Sequence, residues 1–291
     1  MKIGIIGGSG LYDIDGIKDV QKHSLETPFG APSDDYVGGT LEGQEVFFLP
    51  RHGRGHRLMP SEINHRANIF GFKLLGAECV LSVSAVGSLK EELRPRDVVL
   101  PDQYFDRTKS SAGHTFFGDG LVAHVSFGEP TCGALRNVIA ETAREVIAED
   151  VDTDVKVVDG GTYVNMEGPA FSTKAESNVY RSFGFDVIGM TGLPEAKLCR
   201  EAEICYQAIS MVTDYDCWKE TEEEVSVELV IEHLMANSTL AKAILRKLIA
   251  RIPSERGCSC SRALEDAILT QKEGISEKTV ERLEPIVGKY L

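Results

Sequence analysis

Short apolar runs alternate with longer amphipathic stretches along the chain. Five of these runs have strand length and few polar residues, which is typical of strands buried on both faces of a sheet. They cover residues 2–6, 45–49, 79–83, 185–188 and 208–212. Two shorter runs, at residues 98–100 and 156–159, predict further strands. Strands that are separated by helices along the chain predict the α/β fold class.

Stretches with apolar residues three and four positions apart predict helices between these strands. They begin near residues 61, 134, 174, 195 and 227. We expect Ser61 to cap the first of them and Gly76 to end it. The Pro- and Gly-rich residues 23–44 predict a hairpin or loop region, and the tail from 261 to 291 predicts two short helices separated near Gly274.

Size and charge restrict the number of domains and the kind of partner. With 291 residues, the chain can form one large α/β domain or two small ones. A formal net charge of −14, with no basic block to offset it, argues against nucleic-acid binding. No apolar run approaches the roughly 20 residues that span a bilayer. The start MKIGIIGGSG lacks the pattern of a secretion signal, so we expect a cytoplasmic protein.

Three predicted strands end in loops that are suited to binding an anion. The first runs into the glycine turn GGSG at residues 7–10, whose N–H groups can surround an anion. The second ends in PRHGRGHR, in which Arg51 offers a planar fork suited to phosphate and His52 can add a donor. The third ends at Ser84. A tight turn and a solvated basic loop are the alternatives for the first two, but convergence of three strand ends favours one oxyanion site.

Two acids follow the last predicted strand. If Asp214 and Asp216 keep strand geometry, both carboxylates point to the same face of the sheet. In open α/β sheets, the carboxyl ends of the strands border the ligand crevice. Two neighbouring acids there indicate a site that handles protons or recognises donor groups of a ligand. The alternative is a turn rich in Asp.

Seven cysteines in a chain of this length do not indicate a disulfide scaffold. The segment Cys258-Ser259-Cys260 is unusual, but a metal site needs two more ligands with suitable spacing, and no histidine lies nearby. We therefore expect no bound metal. A local redox pair, or disulfides to other cysteines, is favoured instead. The candidates for such disulfides are Cys132, Cys199 and Cys205.

Six motifs, taken together and in order, resemble the trimeric purine nucleoside phosphorylases, and among these the S-methyl-5′-thioadenosine phosphorylases. They are IIGGSGLYD, PRHGRGHRLMPSEINHRANI, SVSAVGSL, MEGPAFST, GMTGLPEA and VTDYDCWKE. The resemblance implies a single phosphorylase/hydrolase-like α/β domain over residues 1–252, with a central mixed sheet flanked by helices. A helical tail at residues 253–291 would pack on the same domain. It also implies phosphate as a co-substrate and no metal or organic cofactor.

The resemblance also implies roles for individual residues. The phosphate ligands would be Ser9, Arg51, His52, Ser84, the Ala85 backbone and Thr191. The nucleoside would contact Phe171, Ser172, Met190, Val227 and Val230, with His124 lent by a neighbouring subunit. Ser9 and Ser84 stand where relatives commonly have Thr, and both keep the hydroxyl group. Asp214 would donate a proton to the purine N7 and Asp216 would accept from the 6-amino group, although these two roles could be exchanged.

The implied activity is that of a glycosyltransferase in purine and methionine salvage. Phosphate would cleave S-methyl-5′-thioadenosine to adenine and 5-methylthioribose 1-phosphate. A homo-oligomer is implied, with a trimer expected and a hexamer as the alternative. Competing hypotheses are a phosphorylase for 6-oxopurine nucleosides or methylthioinosine, a nucleosidase that uses water, and a nucleoside-binding protein without catalysis. Asp214 favours 6-aminopurines, since a carboxylate repels a 6-oxo group.

Overall fold

A computed structural model of the chain describes residues 1–8, 11, 16–110, 112–149, 154–219 and 227–291. Within these residues, eleven strands form one mixed sheet and six α-helices accompany it. The strands are β1 Ile3–Gly7, β2 Lys18–His23, β3 Tyr36–Leu41, β4 Gln44–Pro50, β5 Cys79–Ser88, β6 Val98–Leu100, β7 Gln103–Asp106, β8 Val157–Asp159, β9 Thr162–Asn165, β10 Val187–Gly189 and β11 Cys205–Asp214. The helices are α1 His65–Leu74, α2 Gly133–Ala148, α3 Lys174–Ser182, α4 Gly192–Glu201, α5 Val227–Ile249 and α6 Glu277–Val287.

The sheet branches at β5, which with β11 is one of its two longest strands. The main path runs β2-β3-β4-β1-β5-β10-β9-β7, and β11 lies along β5 and leads to β6 and β8. β1 is parallel to both β4 and β5, with Gly7 beside Pro50 on one side and Val83 on the other. Because parallel strands end at the same edge, the loops that follow these three strands meet there.

Apolar side chains on the two faces of the sheet form two large, separate cores. Ile5 of β1 belongs to a core with residues of α2 and α5, and its neighbour Ile6 belongs to a second core with residues of α1, α4 and α6. Such alternation follows from the period of two along a strand. Both faces are covered by helices, which explains the nearly continuous apolar runs of the predicted strands.

The first helix begins later than the sequence pattern predicts. Residues Pro60–Glu62 form one turn of 3₁₀ helix, and α1 begins at His65. Its N-cap is Asn64, whose side chain accepts from the Ala67 N–H, so the prediction that Ser61 is the cap is wrong. Asn64 is the cap because its side chain is held in place by a second contact. Its amide also donates to the Phe29 carbonyl, 2.7 Å away, in a segment outside the helix.

The C-terminal tail contains one α-helix among the described residues, where the pattern predicted two. The helix is α6, and the earlier part forms 3₁₀ turns at Ser259–Arg262 and Lys272–Gly274. Leu264, Leu283 and Ile286 are buried in the second core, so the tail packs on the same domain. None of the helices in the described ranges combines the length and the apolar character needed to cross a bilayer.

Candidate active site

A cavity of about 460 Å³ lies at the carboxyl ends of β1, β4, β5 and β11. Gly8 and Leu11 border it from the loop after β1. Nine of the residues that the sequence predicted for phosphate or nucleoside binding line this one cavity. They are Arg51, His52, Ser84, Ala85, Phe171, Met190, Thr191, Asp214 and Asp216. Residues far apart in the chain therefore form a single pocket.

Arg51 lies at the base of the cavity and is paired with an acid. Its side chain is only 2% exposed, and Nε lies 2.6 Å from Oε1 of Glu195 in the first turn of α4. Nη2 donates to the Ser82 hydroxyl at 2.8 Å, and Nη1 donates to the Val83 carbonyl at 2.9 Å. Burial alone would lower the pKa of Arg51, but the charge of Glu195 and its hydrogen bond outweigh this and raise it.

Two nitrogens of the planar fork of Arg51, Nε and Nη2, are directed at Glu195. A guanidinium charge that is buried away from water needs a carboxylate as its countercharge. Glu195, which is fully buried, provides this carboxylate. Nη1 has no second acceptor among the described residues. One N–H of Arg51 thus remains for a ligand at the cavity wall.

His52 is neutral in this site and has a defined tautomer. Its Nδ1 lies 2.9 Å from the Leu58 carbonyl oxygen, which can only accept, so Nδ1 carries the proton. Burial lowers the pKa of His52 to about 4, and the charge of Arg51 acts in the same direction. Nε2 is then an acceptor near neutral pH. At Nε2 the neutral ring therefore offers an acceptor, and the predicted donor role would need the protonated ring.

Ser84 and Thr191 complete the polar end of the cavity. The Ser84 hydroxyl oxygen is shielded from solvent and lacks a hydrogen-bond partner of good geometry among the described residues. Thr191 is the N-cap residue of α4 but makes no side-chain capping bond. The N-terminus of α4 carries partial positive charge, which favours an anion at this end of the cavity.

Asp214 and Asp216 line the other end of the cavity. β11 ends at Asp214, and Asp216 begins a 3₁₀ turn with φ of 50°, so the acids do not share strand geometry as predicted. The turn brings them together instead, because the Asp216 N–H donates to Asp214 Oδ1 at 2.8 Å. The other oxygen of Asp214 accepts from the Thr213 hydroxyl at 2.7 Å.

The acid pair fits here because β5 leaves room for it. A Cβ atom at Gly87 would lie 3.0 Å from Asp214 Oδ1 and 3.4 Å from the Asp216 Cβ. Burial raises the pKa of Asp216, and the negative charge of Asp214 acts in the same direction. A pair of this kind favours holding a proton that can be passed to a ligand.

Apolar side chains separate the two ends of the cavity. Met190 and Ile188 line it from β10 and the residue that follows, and Val86 lines it from β5. Phe171 stands at its mouth and is 81% exposed in the single chain. A flat apolar ligand body could lie among these side chains, with its polar edge at the acids.

Five predicted residues are not placed in the cavity wall. Ser172 is buried beside it, where its hydroxyl approaches the Met166 sulfur at 3.8 Å. The side chain of His124 is exposed outside the cavity. The backbone N–H of His124 donates to the Ala267 carbonyl at 2.8 Å. Ser9 lies outside the described residues. Val227 and Val230 belong to α5, but their side chains are outside the described part of the chain.

Two groups of site residues were missed by the sequence reasoning. The first is Glu195, which in the sequence is an ordinary residue near a helix start. The signal that could have found it is that a buried arginine needs an acidic partner, and GMTGLPEA contains one acid. From α5, a row at helical spacing lines the cavity: Leu234, Asn237, Ser238 and Ala241. Asn237 also donates to the Val212 carbonyl at 2.8 Å, which ties the helix to β11. A buried Asn within an amphipathic helix was the signal that could have identified this face.

Comparison with known proteins settles the family. The sequence model of the phosphorylase superfamily matches residues 2–250. The chain belongs to this superfamily. The resemblance predicted from the six motifs is confirmed, since the chain is 53% identical over 289 residues to an S-methyl-5′-thioadenosine phosphorylase of Geobacter sulfurreducens, which covers 99% of each.

Solved structures agree with this superfamily and with the predicted α/β fold. A methylthioadenosine phosphorylase from an Antarctic soil metagenomic library is 46% identical with a TM-score of 0.92, over 98% of both chains. A mutant adenosine/methylthioadenosine phosphorylase from Schistosoma mansoni, in complex with methylthioadenosine, is 36% identical with a TM-score of 0.83. The match covers 91% of this chain and 96% of that one. The chain is therefore a phosphorylase with a single mixed-sheet domain.

Proposed function

We propose that this phosphorylase cleaves S-methyl-5′-thioadenosine with inorganic phosphate, forming adenine and 5-methylthioribose 1-phosphate. The observation that carries the proposal is one cavity with an anion end, at Arg51, Ser84 and Thr191, and an acid pair at the opposite end. Ser84 and Gly87 are three residues apart on β5, about 10 Å along the strand. This separation suits a nucleoside whose sugar lies above phosphate and whose base reaches the acids.

The two ends of the cavity stabilise the two opposite charges that form as the glycosidic bond breaks. Positive charge builds up on the sugar, and a phosphate oxygen attacks C1′. Phosphate is held by the remaining N–H of Arg51, the Ser84 hydroxyl and the N-terminus of α4, while His52 Nε2 accepts from a protonated phosphate oxygen. Negative charge builds up on the leaving purine, and a proton from the acid pair neutralises it at N7.

We assign that proton to the pair of acids. Burial and the neighbouring charge of Asp214 raise the pKa of Asp216, which is the direction that a proton donor requires. On binding, one acid donates to N7 and the other accepts from the 6-amino group. A 6-oxo group would meet an acceptor instead, which disfavours 6-oxopurine nucleosides.

The decisive experiment measures release of adenine from S-methyl-5′-thioadenosine with and without phosphate, with adenosine and inosine as parallel substrates. We expect phosphate-dependent release of adenine and slower turnover of inosine. Release of base without phosphate would indicate a nucleosidase. Tight binding of the nucleoside without any release would indicate a binding protein.

We also propose that the enzyme is a homo-oligomer, with a trimer expected. Phe171 at the cavity mouth and Met235 on α5 are exposed apolar side chains, 81% and 68% in the single chain. A neighbouring subunit would cover them and bring its His124 to the cavity. The cytoplasmic location, the absence of nucleic-acid partners and the lack of any cofactor beyond phosphate remain predictions from the sequence.

A further inference from the structure

Four cysteines from three distant parts of the chain meet at one point away from the cavity. Cys132 caps the N-terminus of α2, Cys205 begins β11, and Cys258 and Cys260 flank the start of a 3₁₀ turn in the tail. Their sulfur atoms all lie within 4.8 Å of one another. Three of these side chains are buried and Cys258 is half-buried.

The distances between the sulfur atoms suit one small ion at their centre. Four thiolates at the usual Zn–S distance of about 2.3 Å stand about 3.8 Å apart in a tetrahedron. The Cys205 and Cys258 sulfur atoms are 3.3 Å apart, which is longer than a disulfide bond of about 2.05 Å. Two disulfides require only that sulfur atoms be close in pairs, whereas here each sulfur is close to the other three. An iron–sulfur cube needs its thiolates farther apart.

We propose that Cys132, Cys205, Cys258 and Cys260 bind one structural zinc ion. The tetrathiolate set is one that zinc favours in closed, structural sites. The two tail ligands are one residue apart, and the other two lie in the body of the domain, far away in sequence. No local spacing motif links them, which is why a metal site could not be predicted from the sequence.

Zinc binding at this cluster is balanced by loss of the thiol protons. Zn²⁺ would form one bond to each of the four sulfur atoms, and the protons that the thiols carried would pass to solvent.

The role of the ion follows from its position. Cys205 and Asp214 are at opposite ends of β11, about 30 Å apart along the strand. Zinc there cannot reach the reacting atoms. It instead links the tail to the sheet and to α2, where Cys132 and Cys205 already belong to the first core.

The test measures zinc and thiols in the whole protein, purified without chelator. We expect about one zinc ion per chain in the wild type and in a Cys199→Ala control, because Cys199 is buried outside the cluster. The double variant Cys258→Ser/Cys260→Ser should lose it. Unfolding with a chelator and without reductant should expose all seven thiols. Reaction of only Cys79, Cys199 and Cys217 would show two disulfides and overturn the proposal, as would iron or no metal in the wild type.

A second measurement separates a structural from a catalytic ion, and it does not depend on the double variant folding. Removal of zinc from the wild type should lower the thermal midpoint and leave turnover at low temperature unchanged. Loss of turnover in still-folded protein, restored by zinc, would overturn the structural role.

Discussion

Arg51 and Glu195, 144 residues apart in sequence, form a buried ion pair with Nε and Oε1 2.6 Å apart. The side chains are 2% and 0% exposed. The pair joins the loop after β4 to the first turn of α4, and these two segments form the proposed phosphate end of the cavity. The pair therefore holds Arg51 in place, with one N–H left for the proposed phosphate.

Replacing Glu195→Gln leaves the Arg51 charge buried without a countercharge. We expect the free energy of unfolding to fall by about 3–5 kcal/mol, the usual effect of breaking a buried pair. Urea unfolding measures this. Glu45→Gln is the control, since Glu45 pairs with Lys2 at the surface and its loss should change little. Equal effects of the two substitutions would contradict a structural role for the Arg51–Glu195 pair.

Asp214→Asn should lower turnover of S-methyl-5′-thioadenosine by about 10²–10⁴, the scale for losing a general acid or its partner. Asn can donate toward a 6-oxo group, so the preference should shift toward inosine. Steady-state kinetics with both nucleosides checks this. Ser84→Ala is the matched control, which should raise KM for phosphate and leave base preference unchanged. An equal loss for both nucleosides in Asp214→Asn would refute the base-recognising role.

The acid pair also predicts a pH dependence of kcat/KM. The raised pKa of Asp216 means that the proton needed at N7 is present at low pH and is lost as the pH rises through that pKa. We expect kcat/KM to fall on the alkaline side in the wild type. Asp216→Asn, which cannot titrate, should remove or shift that limb. An unchanged limb in this variant would place the titrating group elsewhere.

His65 makes the fold sensitive to mild acid. Burial lowers its pKa to about 4, against about 6.5 in the unfolded chain. Between these values the unfolded chain takes up a proton that folded His65 does not, so stability is full above about pH 6.5 and falls as the pH decreases. From pH 7.5 to 5, His65 should account for about 2 kcal/mol.

Urea unfolding at both pH values, in wild type and His65→Gln, isolates this contribution as a difference in pH dependence. His23→Gln is the control, because His23 lies on the outer strand β2. The pH dependence should be smaller in His65→Gln than in the wild type and in His23→Gln. The same pH dependence in all three proteins would show that His65 does not titrate in this way.

His124→Ala tests the proposed contribution of a neighbouring subunit. Within one chain His124 does not border the cavity, so its loss should matter only if a neighbour provides it. We expect a higher KM for the nucleoside, with little change for phosphate. Sedimentation together with activity assays should find a trimer. A fully active monomer would refute both statements.

The predictions from sequence succeeded where residues act through strand geometry. The loops after β1, β4 and β5 meet because parallel strands share an edge, and Arg51 and Ser84 could be placed from that rule alone. They could not supply contacts that a distant segment of the chain provides. The Glu195 carboxylate accepts a hydrogen bond from the Arg51 guanidinium, and the Leu58 carbonyl fixes the tautomer of His52. Neither contact leaves a local pattern in the sequence.

Asp216 shows a second limit of the sequence reasoning. The period of two correctly grouped it with Asp214 but for the wrong reason, because the strand ends at Asp214 and a turn with positive φ brings the acids together. The cysteines show the same limit over a longer distance. Cys258 and Cys260 could be seen as a pair, but only the tertiary fold places Cys132 and Cys205 beside them.

β5 has a consequence for how substrate preference can change. Ser84 borders the anion end, and Gly87, on the same strand, borders the acids. The segment between them is hydrogen-bonded to β11 and, from Gly87, to β10 as well. It therefore sets the distance between the proposed phosphate end of the cavity and the acid pair. Inserting or deleting one residue in this segment would alter that distance. A change of nucleoside preference therefore has to come from other side chains around the cavity, while the distance between Ser84 and Gly87 stays constant.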